Sequence, residues 1–315
     1  MSAEMIDDFV SAAAAPPAFG YAEPESEDCE VTYNGRTYRN GDSFQVQLNA
    51  LEAFQLQAKC DLTGTSITAT RPVSVFSGNA RTAIGPGAIT RDHLVEQVPP
   101  VNTWGKTFVT IPTPKRTVGD YWKIVSSQDG TQVTISGTAG VKTQTRTLSC
   151  GEHWQIDIPC QDMAYIKANN PILVAKFVKS QTVGTEKADP AMLLSTPLEQ
   201  FGSGYTFHTV EGVATTYSNL MTIAVNKGAE NSLMLDGAPV RPVEGWKEIP
   251  GSNVMAGYVN LRPGSHHIAS SGSECRFATY IYGAGDRESY AYPTGMCMRS
   301  LANSQSPYGA FSQFQ

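Results

Sequence analysis

The chain has 315 residues and a formal net charge of −6, and it is 41% hydrophobic but only 17% charged, with 28 glycines and 19 prolines. That length leaves room for two or three domain-sized cores, and low charge with abundant turn formers points to β structure. A net negative chain has no general attraction for nucleic acid or anionic membrane, and no apolar run nears the roughly 20 residues of a spanning helix; neither a nucleic-acid partner nor membrane insertion is expected.

Residues 1–28 carry acids where a secretory leader carries positive charge, and Pro16 and Pro17 break their alanine run. They read as a flexible extension. From Val31, VTYNG is a short strand entering an Asn-Gly turn, and GDSFQV from Gly41 opens another alternating run. LTGTSITATRPVSVFSG, residues 62–78, reads as a hairpin, with Ile67 on one strand, a turn at Thr70 to Pro72, and Val73 and Val75 on one face of the next. GPGAIT, Gly85 to Thr90, lacks the Gly-Lys-Ser/Thr of a phosphate loop and reads as plain loop. DHLVEQV, Asp92 to Val98, reads as at most one or two helical turns capped by Asp92.

Further on, DYWKIVSS from Asp120, QVTIS from Gln132, WQIDI from Trp154 and LMTIAVN from Leu220 are strands by their alternation and β-branched content. The QDG at Gln128 and the DG at Asp236 supply turns between them. RPGSHH, with His266 and His267, has the composition of a solvated turn. In FGSGY, Phe201 to Tyr205, the G-x-S-x-G spacing of a nucleophile elbow is missing.

These segments repeat. VTYNG from Val31, VTISG from Val133 and LMLDG from Leu233 lie 102 and 100 residues apart, and PVNTWGKTF from Pro100 precedes PLEQFGSGY from Pro197 by 97. GDSFQV pairs with GEHWQI from Gly151, Ile67 to Pro72 pairs with Ile166 to Pro171, and ECRFATYIYG from Glu274 is a weaker echo. The expected fold is therefore all-β, in tandem β-sandwich-like repeat units of about 100 residues. The division expected is a partial first unit at 29–80, a second at 97–180, a third at 194–297 and a tail at 298–315. The first unit reads as truncated because no strands precede Val31, so the chain reads as a fragment of a longer protein; completion by another chain is the alternative. A fragment would also explain the missing leader.

Six cysteines, Cys29, Cys60, Cys150, Cys160, Cys275 and Cys297, contain no C-x-x-C pair, so disulfides are expected rather than a zinc or redox site. Fifteen connectivities stay open; the sequence neighbours Cys150 with Cys160 and Cys275 with Cys297 are the first to test, and buried free thiols are the alternative. No N-glycosylation sequon occurs.

The ordered blocks DLTGTSITATRPVSVFSGN, DHLVEQVPPVNTWGKTFVTIP, DYWKIVSSQDGTQVTISG and SYAYPTGM resemble the N-terminal domain of IgGFc-binding proteins, over roughly residues 29 to 297. The resemblance implies an extracellular, disulfide-containing β domain of mucus or matrix proteins, with further domains in a larger parent. It implies a protein or glycan partner, with antibody Fc inherited only as a label.

No histidine falls into a zinc spacing, and no cofactor is expected. Trp154 and Trp104 align with Phe44 and Phe201 in the repeat, as core positions do. Trp122 and Trp246 have no such counterpart and are the candidates for exposed ligand contact. A non-enzymatic binding or structural module is the leading expectation. The rival is a carbohydrate-active enzyme using Asp92 with Glu96, or Glu152 with Asp157, which would require two carboxyls about 5 to 9.5 Å apart.

Overall fold

The computed structural model describes residues 29–212, 216–272 and 275–301; the expected extension and residues 302–315 of the tail lie outside them. These described residues are all β, with short single turns of 3-10 helix between strands.

In the first unit β1 (Val31–Tyr33) and β2 (Arg36–Tyr38) form a hairpin whose turn residues Asn34 and Gly35 both take positive φ, the geometry that selects Asn-Gly. A small core follows, with Leu56 and Leu62 buried among Cys29, Val31, Phe44 and Phe54. The disulfide joins Cys29 to Cys60 across this core, with Cα atoms 5.5 Å apart. Cys150, Cys160, Cys275 and Cys297 are free thiols, so the neighbour pairings expected from sequence are not formed. Next come β3 (Val75–Thr82) and β4 (Asp92–Val98), paired antiparallel. Asp92 to Val98 is thus a strand, not a capped helical turn. Leu94 and Val98 are buried while His93 and Val95 are exposed, and that period of two outweighs the helix-cap signal of one aspartate.

The expected second unit and the stretch that follows it contain β5 (Gly105–Thr110), β6 (Asp120–Ser126), β7 (Thr131–Gly137), β8 (Gln144–Leu148), β9 (His153–Ile158), β10 (Ala164–Val178) and β11 (Ala191–Leu194). Strand β10 organises it. Ala164 to Ala168 pair with β5 and β7; after a register shift, Ile172 to Val178 pair with β6, and β11 joins at Ala175 to Val178. One strand therefore belongs to two layers, β5-β10-β7-β8 and β9-β6-β10-β11, closed over Phe108, Ile124, Ile135, Ile166 and Val174. Switching layers through a bent strand is a known way to build a sandwich corner.

The corner falls at Asn169 to Pro171, where sequence suggested a hairpin turn. Pro171 has no N–H to give a ladder, and the change of partners leaves a position that needs none. Asn169 takes over from the backbone there: its Oδ1 accepts from Gln132 N at 2.8 Å and its Nδ2 donates to Gly130 O at 3.2 Å. The first copy differs again. Ile67 is buried, but residues 67–72 lie outside any ladder before β3 begins at Val75.

The third unit contains β12 (Gly204–Thr209), β13 (Ser218–Asn226), β14 (Leu233–Leu235), β15 (Ala238–Pro239), β16 (Lys247–Ile249), β17 (Val254–Leu261), β18 (Gly264–Ser270), β19 (Phe277–Gly285) and β20 (Glu288–Pro293). Its layers, β12-β18-β14-β15 and β16-β17-β13-β19-β20, enclose Phe207, Met221, Ile223, Ile268, Phe277 and Ile281. The order follows that of the second unit, with β18 and β19 taking the two halves of β10 and β16 added at one edge. His266 lies on β18, not in a solvated turn: it is buried, its Nδ1 is 2.7 Å from Asp236 Oδ2, and its Nε2 faces Arg262 O at 2.8 Å.

Strands β4 and β11 fall between the expected units and β20 lies near the end of the third; β11 packs against both of the others. Leu94, Val98 and Trp104 seal one seam against Phe177, Met192 and Leu194, and Val109, Leu193 and Phe201 seal the next against Ala256 and Tyr280. In the first unit, counterparts of β5 and β6 are absent among the described residues.

Candidate functional site

Trp122 and Trp246 part company in the fold. Trp122 points inward from β6, is 3% exposed, and lies beneath Lys176 Nζ at 5.3 Å from its ring centroid. It is a core residue. All seven residues of β6 are buried, Tyr121, Trp122, Ile124 and Val125 among them, so the strand is covered on both faces and absence of a repeat counterpart was no sign of exposure.

Trp246 sits at an edge of the third unit and is partly exposed. A turn from Pro242 to Gly245 precedes it, closed by Gly245 N to Pro242 O at 3.1 Å, with Gly245 at φ +73. Val243 N donates to Tyr258 O at 2.9 Å and lays this turn over β17. The approach requires Gly257: a Cβ there would meet Pro242 Cγ at 2.7 Å and Trp246 Cε3 at 3.1 Å. In the same turn Val243 is 52% exposed, and Tyr258 on β17 donates its hydroxyl to Glu244 Oε1 at 3.2 Å. Lys247 Nζ donates to Glu244 Oε2.

The hydrogen bond and charge of Lys247, with the Tyr258 hydroxyl, hold the Glu244 carboxyl below its ordinary range. Burial and the charge of Glu244 push the Tyr258 phenol up. Glu244 is therefore a fixed anion and Tyr258 a fixed neutral donor at physiological pH. A turn that exposes Val243 and part of the Trp246 indole in one segment with such groups forms a shelf suited to a sugar ring or a peptide side chain. General acid catalysis would call for a carboxyl near neutrality instead. The sequence signal for the surrounding residues was the run RPVEGW, whose Pro and Gly frame the turn.

The proposed carboxylate pairs do not form. Asp92 and Glu96 share one strand with Leu94 between them, which separates them by about 13 Å along β4. Glu152 is bridged to Arg146 at 3.0 Å, and Asp157 to Lys179 at 2.7 Å. Burial pushes the Glu96 carboxyl up to about 8. Among the described residues no group of three His, Cys, Asp or Glu is arranged to hold a metal ion, and no helix is long and apolar enough to cross a membrane.

Comparison with known proteins then fixes the kinship. The family model described as IgGFc binding protein matches residues 24–283. The chain belongs to the IgGFc-binding family. The human IgGFc-binding protein is 30% identical over 234 residues, a match covering 73% of this chain and 4% of that protein. This member thus spans a small fraction of its relative's length. Two solved lectins from Pleurotus ostreatus, the apo form and the complex with GalNAc, align at TM-scores of 0.20 and 0.19 with 11% and 10% identity. The alignments cover 74% and 68% of this chain and 94% and 92% of theirs. Likeness that slight carries no argument about fold or ligand.

Proposed function

We propose that this chain is a non-enzymatic binding module of an extracellular protein, taking a protein or glycan ligand on the Trp246 shelf of its third unit. The observation that carries the reading is the turn itself: a part-exposed indole three residues after an exposed valine, in a segment whose carboxylate is paired with an ammonium and a phenol. Family membership supports a binding role, and the Cys29–Cys60 disulfide supports an oxidising compartment. The small share of the human relative that is matched supports further domains in a larger parent.

The first probes are an antibody Fc fragment, named by the human relative, and a panel of mucin and matrix glycans. Trp246→Ala and Val243→Asp should each weaken whichever probe binds by about tenfold or more, as loss of an aromatic anchor does, and Val243→Asp, at an exposed position, should leave thermal unfolding little changed. Binding that survives both substitutions would remove the shelf from the reading. Glycan turnover abolished by an Asp92→Ala, Glu96→Ala double variant would replace the module with an enzyme.

A further inference from the structure

We propose that the edge of β3 turned away from β4 docks an extended strand of a partner protein: a mainly apolar segment the length of β6, antiparallel to β3, with a lysine or arginine opposite Ser77. The repeat defines the place. Ile67 to Pro72 and Ile166 to Pro171 lie 99 residues apart, and PVNTWGKTF and PLEQFGSGY lie 97 apart. The first interval carries Ser77 onto Lys176, the second carries Glu96 onto Leu193, and these residues are cross-strand partners in both copies, Ser77 with Glu96 and Lys176 with Leu193. β3 therefore corresponds to the second half of β10, and β4 to β11. In the second unit that half of β10 lies between β11 and β6, and in the third β19 lies between β20 and β13. Among the described residues β3 pairs with β4 alone, so from Val75 to Gly78 the edge that would face a β6 is open. Nothing blunts that edge: Val75 to Ala80 holds neither proline nor charge, and Phe76 and Val95 stand 56% and 51% exposed on one face of the ribbon.

β6 shows what belongs there. All seven of its residues are buried, and its Trp122 stands opposite Lys176, whose ammonium lies over the indole and meets Asp120 Oδ2 at 3.1 Å. In the first unit the charge has moved. Serine takes the place of the lysine, and Glu96 on the next strand takes the place of Leu193. Ser77 is 1% exposed with its hydroxyl buried and unpartnered, and burial pushes the Glu96 carboxyl up to about 8. Strands lie about 4.8 Å apart, so a residue opposite Ser77 on an added strand stands two strands from Glu96. A lysine or arginine there reaches across the small serine to the carboxylate and can donate to Ser77 Oγ on the way.

The donor is another protein. β6 and β13, the strands that fill this position in the other units, each lie between two neighbours in their own sheets, so a second copy of the chain has neither to lend. Within this chain, the 102-residue interval from VTYNG to VTISG sets AFGYAEP, Ala18 to Pro24, at the place of β6 in the sequence. That stretch puts Gly20 where Trp122 stands, offers no basic residue, and ends in a proline that has no N–H for a ladder. Strand addition to a sheet edge, with the side chains of alternate residues giving specificity, is an established mode of protein recognition.

Fluorescence anisotropy of the whole chain with labelled peptides of residues 119–128 tests this. The peptide carrying Trp122→Lys should bind in the micromolar range, and the one carrying Trp122→Glu roughly tenfold or more weaker. Glu96→Gln in the protein should bring the two peptides within about threefold of each other. Hydrogen exchange locates the site: alternate amides of β3, rapid in the free chain, should slow with the lysine peptide, while those of the edge strands β8 and β16 do not change. No binding at about 1 mM lysine peptide, equal affinity for the two peptides, or protection gained at β8 or β16 instead would overturn the site. If every amide of β3 is already slow in the free chain, the edge is filled, by a second copy where light scattering shows a dimer and by the chain's own residues where it shows a monomer; either result overturns the partner strand.

Discussion

Glu96 stands on the inward face of β4 between Leu94 and Val98, opposite Ser77, whose own hydroxyl is buried without a partner. Burial alone drives its carboxyl up to about 8. A raised carboxyl is neutral in the folded state below that pH and ionised in the unfolded chain above its ordinary range near 4.5. Glu96 therefore costs nothing at pH 4, costs progressively more between about 4.5 and 8, and costs a constant amount beyond. Glu96→Gln should match the native chain in urea unfolding at pH 4 and exceed it at pH 8, by about 1 to 3 kcal/mol. Equal stability at both pH values would mean that Glu96 is solvated. Lys176 shows the opposite solution to the same problem. It is buried, and desolvation pulls its ammonium down, but Asp120 Oδ2 at 3.1 Å and the Ile111 carbonyl at 2.8 Å hold it in place. Neither residue betrayed this in sequence, because a lysine on an alternating strand looks like its solvated face.

At the scale of elements, alternation placed most strands although the GDSFQV run from Gly41 forms none, and turn chemistry was right at Asn34-Gly35 and Asp236-Gly237 but misleading elsewhere. β6, β7, β9 and β13 lie where alternating runs placed them, and Trp154, Trp104 and Phe201 are buried as their repeat positions implied. Short polar-rich strands were misread. Asp92 looked like a cap and His266 like part of a turn, since cap and turn residues are recognised locally whereas β4 and β18 are defined by partners at a distance. The corner in β10 was invisible for the same reason: Asn-Asn-Pro reads as a turn unless both layers are known. Gly78 belongs with these long-range features. It pairs with Val95, and a Cβ there would sit 1.9 Å from Leu94 O and 2.8 Å from Val95 Cα. Backbone cannot yield as a side chain can, so Gly78→Ala should force β3 and β4 apart at a cost of about 2 kcal/mol or more. Hydrogen exchange would locate the damage. Amides of β3 and β4 should lose protection while those of β13 keep theirs; uniform loss would mean that the hairpin unfolds only with the rest.

The whole molecule depends on how its three units are joined, and here one side chain is central. Gln200 is fully buried in the 3-10 turn Leu198–Gln200 that opens the third unit. Its Nε2 donates to Thr103 O at 3.0 Å, in the matching turn Val101–Thr103 of the second unit, and to Arg299 O at 2.6 Å. Its Oε1 accepts from Arg299 N at 3.0 Å, and its carbonyl accepts from Cys297 N at 3.0 Å. Leu301 N then donates to Asn102 O at 2.7 Å. The segment after β20 is thereby tied back onto the start of the second unit, and all three junctions meet around one amide. Gln200→Leu keeps the volume but leaves the carbonyls of Thr103 and Arg299 and the N–H of Arg299 without their partner. At roughly 1 kcal/mol or more for each orphaned group, the variant should lose about 3 kcal/mol in urea unfolding. The loss should be local before it is global, because the cores around Phe108 and Phe277 are untouched. Limited trypsin digestion should therefore cut after Arg299 in Gln200→Leu under conditions where the native chain resists, with the remainder still folded by circular dichroism. A variant as resistant as the native chain at Arg299 would show that apolar packing of the seams, rather than this amide, holds the three units together.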